Sequence, residues 1–297
     1  LVDGRPFFPL GMFSGRDMIN DKELDRYLEA PFNCVMPYNM TPEQVDLCWK
    51  RGLMTIFHHG GEHKDIKSLP PEKSIRLVET HFNDVVRRLR GHPGLLAWYT
   101  ADEMPPAFAP ILKERNEATH ALDPDHPTWT VLDQTGSVRP LGVGFDCLGM
   151  DPYPIGNRGD AHRTAIGIAS GWALSAREKM HDTRPMWHVP QTFNWAHYRG
   201  ANAKPEEDRW PTGEEMRSMA WQPVAAGANG LVFYAYYDIW APSRKWTPEL
   251  RKQKWSEVVA IAKEVKAKEK VLLAPPGPRV ERAPDGIVAR TWRTDDG

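Results

Sequence analysis

The stretch Leu95-Leu-Ala-Trp-Tyr-Thr-Ala-Asp-Glu103 is an apolar, β-rich run that leads directly into two adjacent carboxylates. Seven similar short runs occur along the chain, and patterns typical of amphipathic helices lie between them. The eight predicted strands are Phe7–Phe13, Phe32–Tyr38, Leu53–His58, Leu95–Thr100, Thr128–Leu132, Phe145–Met150, Met186–Pro190 and Gly230–Tyr237. Eight strands that alternate with helices predict an α/β protein of the (β/α)8 TIM-barrel class.

Helices are predicted between most of these strands, and several begin with a Thr followed by Pro or by Glu or Gln at capping distance. The predicted helices are Asp21–Ala30, Thr41–Arg51, Pro71–Arg90, Pro110–Leu122, Ala161–His181, Thr212–Ala226 and Pro248–Lys270. The connection Asp133–Gly144 is short and contains Gly and Pro, so a loop or a single turn is expected there.

The composition changes after the last predicted helix to Ala274-Pro-Pro-Gly-Pro278, which is followed by a β-like run. We therefore expect a barrel over residues 1–274, and a linker with the beginning of a β-rich C-terminal domain over residues 275–297. Because the chain opens with Leu-Val-Asp-Gly and ends within that run, we expect it to be a piece of a longer protein.

Composition excludes several classes of partner. The chain has 297 residues with 38 Lys+Arg against 39 Asp+Glu, which argues against nucleic-acid binding. The sequence has no apolar run near the roughly 18 residues that span a membrane, so no membrane partner is expected. Cys34, Cys48 and Cys147 are odd in number and widely spaced, which favours buried thiols over a disulfide framework. The oligomeric state stays open.

Polar and aromatic residues cluster where the predicted strands end. In a (β/α)8 barrel the functional groups project from these C-terminal ends. The candidates are His58 and His59 after strand three, Asp102 and Glu103 after strand four, Asp151 and Tyr153 after strand six, Gln191, Asn194 and Trp195 after strand seven, and Tyr236 and Asp238 in strand eight. With 12 Trp and 8 Tyr in the chain, flat aromatic faces suited to sugar rings are abundant.

The pair Asp102-Glu103 is the most informative of these groups. Burying two adjacent acids at the end of an apolar strand is costly unless they are used. In an apolar site the protonated form of one acid is favoured, and a general acid needs that form at neutral pH. The alternative is structural, with Asp102 capping the next helix and Glu103 pairing with an arginine.

Three stretches resemble barrel glycoside hydrolases related to clan A, which are TIM barrels of the β-galactosidase and cellulase type. They are Val2–Met12, His92–Glu103 and Gly227–Tyr234, and the resemblance extends from Val2 to about Leu272. It implies an O-glycoside hydrolase acting on an oligo- or polysaccharide, with Glu103 as general acid/base. Asp102 stands where the family usually has Asn, and would tune Glu103 or orient the substrate. An enzyme acting on a polymer would be secreted or periplasmic.

The resemblance leaves the second catalytic group open. The clan places a nucleophilic Glu at the end of strand seven, where this sequence has Gln191, and an amide is not a competent nucleophile. Asp151 or Asp238 could replace it, either as nucleophile or as the base of an inverting enzyme. The separation of the carboxyl groups would distinguish these, at roughly 5–5.5 Å for retaining and roughly 6.5–9.5 Å for inverting enzymes.

Two further interpretations need no enzyme nucleophile. In a hexosaminidase-like site Glu103 would protonate the leaving group, Asp102 would orient an acetamido group of the substrate, and Tyr153 or Tyr236 would hold that group. Alternatively, the barrel would bind carbohydrate without catalysis. None of these mechanisms requires a metal or an organic cofactor. The zinc-peptidase pattern in His59-Gly-Gly-Glu-His63 is rejected because its two glycines do not suit the helix that the motif requires.

Overall fold

Eight parallel strands form a nearly closed barrel in a computed structural model that describes residues 1–58, 83–159, 164–204, 207–277, 280 and 287–294. The strands are β1 Leu10–Gly15, β2 Cys34–Tyr38, β3 Met54–His58, β4 Leu95–Asp102, β5 Thr128–Leu132, β6 Cys147–Met150, β7 Trp187–His188 and β8 Gly230–Phe233. Their order in the sheet is β6-β5-β4-β3-β2-β1-β8-β7. A parallel bridge between Leu148 and Met186 joins the two outer strands. The predicted (β/α)8 fold is confirmed.

Helices connect the strands on the outside of the barrel. They are α1 Asp21–Tyr27, α2 Pro42–Lys50, α3 over residues 83–89, α4 Ala109–Leu122, α5 Val138–Leu141, α6 Ile168–Lys179, α7 Ala196–Arg199, α8 Gly213–Ala225, α9 Tyr236–Trp240, α10 Pro248–Ala267 and α11 Glu269–Leu272. Short 3-10 segments occupy Arg16–Met18, Pro106–Phe108, Thr135–Ser137, Gly142–Gly144 and Gly200–Asn202. The Thr212 side chain caps α8 by accepting a hydrogen bond from the Glu215 amide at 3.2 Å, as its sequence signal predicts.

The apolar side chains form two layers. Because successive side chains of a strand point to opposite faces, alternate residues fill the barrel interior and the space under the helices. Inside the barrel, Phe13, Met36 and Val232 belong to one buried cluster. Tyr38 lies two residues after Met36, and Tyr234 lies two residues after Val232. By the same alternation, both tyrosines point to the inner side of the barrel. These residues therefore enter the mouth of the barrel.

One sequence expectation about the elements differs from the structure. Strand eight ends at Phe233, and Tyr236 begins α9, so the prediction of a strand through Tyr237 is wrong. Within the predicted helix from residue 161 to residue 181, the structure has a helix over Ile168–Lys179, and residues 161–163 lie outside the described residues. Single turns replace a full helix between β5 and β6, as expected. Residues 71–82 of the predicted third helix, and His59, lie outside the described residues.

The C-terminal segment makes a short antiparallel contact. Pro276 pairs with Trp292, and the Gly277 amide donates to the Thr291 carbonyl at 2.8 Å. The division into a barrel and a β-rich domain stays a prediction. The three cysteines are free and buried, as predicted. Among the described residues, no helix combines the length and the apolar character that a membrane span needs.

Candidate active site

Three carboxylates meet at the C-terminal end of the barrel. Asp102 is the last residue of β4, Glu103 follows it, and Asp151 directly follows β6. One carboxylate oxygen of each lies within 4.8 Å of one from both others. The structure therefore brings together the three acids that the sequence analysis selected as catalytic candidates.

The backbone at Glu103 is held in an unusual conformation. Its φ of 49° lies in the left-handed region, which a non-glycine residue adopts at a cost of about 1–2 kcal/mol. The Glu103 amide donates to the Val131 carbonyl at 2.8 Å, so β5 fixes the turn. Because this backbone turns directly after Asp102, two consecutive acids can both reach the same cavity. Such outliers cluster at functional sites, where surrounding structure holds them in place.

The acids open into a cavity of about 320 Å³. Its walls are mostly aromatic, and the lining residues are Phe13, Tyr38, Asp102, Glu103, Val131, Asp151, Tyr153, Phe193, Trp195, Tyr198 and Tyr234. A few polar groups converging in an aromatic cavity are typical of a small-molecule site. A larger cavity of about 920 Å³ lies at the opposite end of the barrel, where Phe8, Pro127 and Asn229 precede their strands. Since barrel enzymes carry their chemistry at the C-terminal ends, the smaller cavity is the candidate site.

The surroundings of Asp151 favour its protonated form. The residue is only 4% exposed. Burial, followed by the nearby carboxylates of Glu103 and Asp102, raises the pKa of Asp151 well above its usual value. A side-chain hydrogen bond between Asp151 and Glu103 adds to this effect. These effects favour the protonated form of Asp151 at the mouth of the barrel, where a general acid needs a proton.

Neutral phenols surround the acids. The Tyr38 hydroxyl donates to Asp102 Oδ2 at 3.4 Å. Burial, reinforced by the charge of Asp102, raises the pKa of Tyr38 well above its usual value. Burial does the same for the pKa of Tyr153, with Asp151 adding to it. Both hydroxyls therefore stay protonated at neutral pH and remain hydrogen-bond donors.

His58 does not line the cavity. Its buried ring packs against Tyr38 and Tyr99, with centroids 5.6 and 5.7 Å away. Burial lowers the pKa of His58 to about 4, with the charge of Arg115 contributing. The imidazole is thus neutral at physiological pH and packs edge-on against Tyr38. The sequence analysis expected His58 to contact a sugar directly, whereas in the structure it is 3% exposed and is not among the residues that line the cavity.

Gln191 is also withdrawn from the cavity. Its Oε1 accepts from the Ile155 amide at 2.9 Å, while its Nε2 donates to the carbonyls of Ile155 at 2.8 Å and Phe193 at 3.2 Å. The side chain is fully buried, so these backbone groups have no water to bond instead. The amide therefore holds the loops after β6 and β7 together, and it does not face the acids as a nucleophile replacement would.

Asn194 and Tyr236 serve other parts of the fold. Asn194 Oδ1 accepts from the Ala196 amide at 2.8 Å, at the start of α7. The Tyr236 hydroxyl donates to Glu23 Oε2 at 2.8 Å, on the helix side of the barrel. The sequence analysis assigned Tyr236 to the cavity because it extended strand eight too far. Tyr234 is the strand-eight tyrosine that lines the cavity.

Asp238 is not placed to act as the second catalytic carboxylate. It is buried, its Oδ1 pairs with Arg244 Nη2 at 2.5 Å, and its Oδ2 accepts from the Tyr198 hydroxyl at 2.6 Å. Those two partners occupy the carboxylate, which does not line the cavity. Of the two replacements considered from the sequence, Asp151 alone stands beside Glu103.

The sequence analysis missed three tyrosines of the cavity: Tyr38, Tyr198 and Tyr234. Tyr38 ends β2 and Tyr234 follows the inward-facing Val232, so the rule applied to the other strand ends would have found both. Tyr198 lies in α7, in the long connection after β7, and its place depends on the path of that loop. No sequence pattern indicates it.

The three acids are also close enough to bind a metal ion. Oxygen ligands of this kind suit a hard cation such as Ca²⁺ or Mg²⁺. The raised pKa of Asp151, caused by its burial and by the neighbouring acids, suits acid–base chemistry equally well. That the site works without a metal stays a prediction.

No family model and no curated protein matches the chain. Solved structures with the same barrel include the β-galactosidase from the psychrophilic Marinomonas ef1, at 11% identity and a TM-score of 0.68, covering 91% of this chain and 62% of that one. The β-galactosidase from Bacillus circulans sp. alkalophilus is 10% identical with a TM-score of 0.67, covering 89% and 56%. An exo-β-1,4-mannosidase from Opitutaceae bacterium strain TAV5 is 16% identical with a TM-score of 0.62, covering 97% and 65%. The chain thus spans 56–65% of the length of these proteins and shares their TIM-barrel fold.

Proposed function

We propose that this protein is an O-glycoside hydrolase acting on an oligo- or polysaccharide, with Glu103 as general acid/base. The observation that carries the proposal is the cluster of Asp102, Glu103 and Asp151 at the aromatic cavity in the mouth of the barrel. Carboxylates supply the proton transfer and the charge stabilisation that glycoside cleavage needs. Aromatic faces supply stacking surfaces for sugar rings. The shared fold with glycosidases agrees with this proposal.

Glu103 is the acid best placed to meet the leaving group. It is the exposed member of the cluster, whereas Asp151 is buried. In the proposed reaction Glu103 donates a proton to the glycosidic oxygen as the bond from that oxygen to the anomeric carbon breaks. The hydrogen bond with Asp151 offers a route for a proton to reach Glu103 from the buried side. This transfer leaves Asp151 ionised as Glu103 becomes the acid.

The spacing of the acids favours retention of anomeric configuration. One carboxylate oxygen of Glu103 lies within 4.8 Å of one of Asp151, so the two groups leave little room for the water that the roughly 6.5–9.5 Å separation of inverting pairs accommodates, unlike the roughly 5–5.5 Å of retaining pairs. An ionised Asp151 would then be the nucleophile. Proton NMR of the first-formed product tests this step, and an initial product of inverted configuration would contradict it.

A substrate-assisted reaction is the second candidate. It is favoured by the hydrogen bond from Tyr38 to Asp102, which holds the neighbour of Glu103 in the cavity. In this version Asp102 orients an acetamido group that attacks the anomeric carbon, and Asp151 is not the nucleophile. The enzyme would then require acetamido sugars and be inhibited by thiazoline mimics of the intermediate. Equal hydrolysis of acetamido and plain glycosides would exclude it.

The proposed function is tested with wild type, Glu103→Gln and Glu114→Gln in parallel. Glu114 is an exposed glutamate of α4 outside the cavity, so its variant controls for the loss of one carboxylate. Sugar release is measured from a panel of aryl glycosides and oligosaccharides. We expect Glu103→Gln to lose activity by about 10² or more and Glu114→Gln to match wild type. If all three bind saccharide and none releases sugar, the barrel is a carbohydrate-binding module.

A further inference from the structure

The connection after β7 brings two aromatic side chains to the rim of the cavity. Trp195 and Tyr198 both line it, and Tyr198 is 43% exposed. We propose that Arg199 is a positioning residue, which holds Trp195 as a stacking platform for a sugar ring and is itself fixed by the buried carboxylate of Asp208. This inference rests on the proposed function, because it concerns how the same cavity binds its sugar.

Asp208 is a buried carboxylate that anchors two arginines. Its side chain is 0% exposed, which would be costly for a carboxylate without partners. Both Arg199 and Arg158 pair with it, the latter from Nε at 3.2 Å. The Lys204 amide also donates to Asp208 Oδ2 at 2.7 Å. The buried carboxylate of Asp208 thereby fixes the guanidinium groups of Arg158 and Arg199.

Arg199 contacts both the anchored carboxylate of Asp208 and the ring of Trp195. Its Cζ lies over the ring of Trp195, 5.2 Å from the centroid, at the distance of a cation–π contact. Its Nη1 also donates to the Gly156 carbonyl at 3.0 Å. Arg158 shares Asp208 but has no such contact with Trp195 among the described residues. The two arginines therefore share their pairing with Asp208 and differ in their contact with Trp195.

Other contacts hold Trp195 on its remaining sides. Its Nε1 donates to the Tyr153 carbonyl at 3.3 Å, and its ring packs edge-on against Phe193 at 5.1 Å. With Arg199 over the ring, the indole is fixed before a ligand arrives. A platform that is already ordered saves the cost of immobilising a side chain on binding, which corresponds to about 3- to 10-fold in affinity.

The kinetic test compares Arg199→Lys with Arg158→Lys. Lysine keeps a positive charge beside Asp208 but lacks the planar guanidinium group that lies over the indole of Trp195. On the aryl glycoside that wild type cleaves fastest, we expect Arg199→Lys to raise KM by about 3- to 10-fold while kcat stays within about twofold. Arg158→Lys should leave KM within about twofold. Equal effects of the two variants on KM, or a loss confined to kcat, would overturn the inference.

Fluorine NMR of protein labelled with fluorotryptophan tests the positioning without any ligand. A Trp195→Phe variant identifies the resonance of Trp195. We expect this resonance to shift or broaden in Arg199→Lys and to stay unchanged in Arg158→Lys. An unchanged resonance in Arg199→Lys overturns the inference whatever the kinetics. If the resonance moves but no glycoside is cleaved, the positioning stands and the hydrolase proposal fails.

Discussion

Replacing Asp151 with Asn should stabilise the protein increasingly as the pH rises. Burial and the neighbouring acids raise the pKa of Asp151 in the folded state above its value in the unfolded chain. Between these two values the folded protein binds more protons than the unfolded one, so its free energy of unfolding falls with rising pH. An amide side chain at this position cannot ionise, so the substitution removes this loss.

Burial is the larger cause of the raised pKa of Asp151, and the distance between the acids gives the size of the part that their charges add. Two unit charges 4.8 Å apart repel by about 3 kcal/mol at an effective dielectric constant of about 20. We therefore expect the advantage of Asp151→Asn in free energy of unfolding to be small at pH near 4 and to reach about 3 kcal/mol at mildly alkaline pH. The variant should also lose hydrolytic activity, because the acids that an active site needs are often the ones that destabilise the fold.

Urea-induced unfolding followed by circular dichroism across this pH range measures the difference. Asp125→Asn is the matched control, because Asp125 is an exposed aspartate outside the cavity. Its substitution removes one carboxylate without changing the acid cluster. A constant or falling difference between Asp151→Asn and wild type would refute the reasoning that the buried acid is repelled by its neighbours.

Three further substitutions test other parts of the structure. Asp208→Asn leaves two guanidinium groups without their buried partner, and we expect it to lower the free energy of unfolding by about 3 kcal/mol in urea titrations. His188 is buried without a hydrogen-bond partner among the described residues, and burial lowers its pKa to about 3. Wild type therefore loses stability as the pH falls below about 6.5, and urea titrations should find the advantage of His188→Leu about 2 kcal/mol larger at pH 5 than at pH 8. Gln191→Glu places a carboxylate against the Ile155 carbonyl, so calorimetry should find it less stable by about 3 kcal/mol and glycoside assays should find no gain in hydrolysis.

Each of these expectations has a clear contrary result. An unchanged urea midpoint for Asp208→Asn would mean that the buried ion pairs do not stabilise the fold. A difference for His188→Leu that is equal at both pH values would mean that the wild-type imidazole titrates normally. Faster hydrolysis by Gln191→Glu would mean that the side chain can reach the substrate after all.

The fold could be predicted from the sequence because its signal is repeated. Each strand is a short apolar run bounded by helix-start or turn residues, and one misplaced end does not change the count of eight. The predicted end of strand eight was too late for a local reason. Tyr236 and Tyr237 are aromatic residues, which suit a strand as well as the residues before them do. The helix of Tyr236–Trp240 depends on tertiary packing against α1, where Tyr236 bonds Glu23.

The site could be predicted only in part. Asp102, Glu103 and Asp151 directly follow β-rich runs, so parallel strands bring them together without any detail of the loops. Gln191 and Asp238 were expected at the cavity by the same rule, but the directions of their side chains depend on hydrogen bonds with distant partners. Those partners, such as Ile155 and Arg244, lie on connections whose paths the sequence pattern does not specify.

The leaving-group dependence of the Glu103→Gln variant tests the central claim most directly. A general acid matters most when the leaving group is a poor one, and little when it departs without protonation. We predict that kcat/KM of the variant is about 10² or more times lower than that of wild type on phenyl glycosides, and nearly equal to it on dinitrophenyl glycosides of the same sugar. An equal loss on both substrates would contradict the assignment of Glu103 as the proton donor.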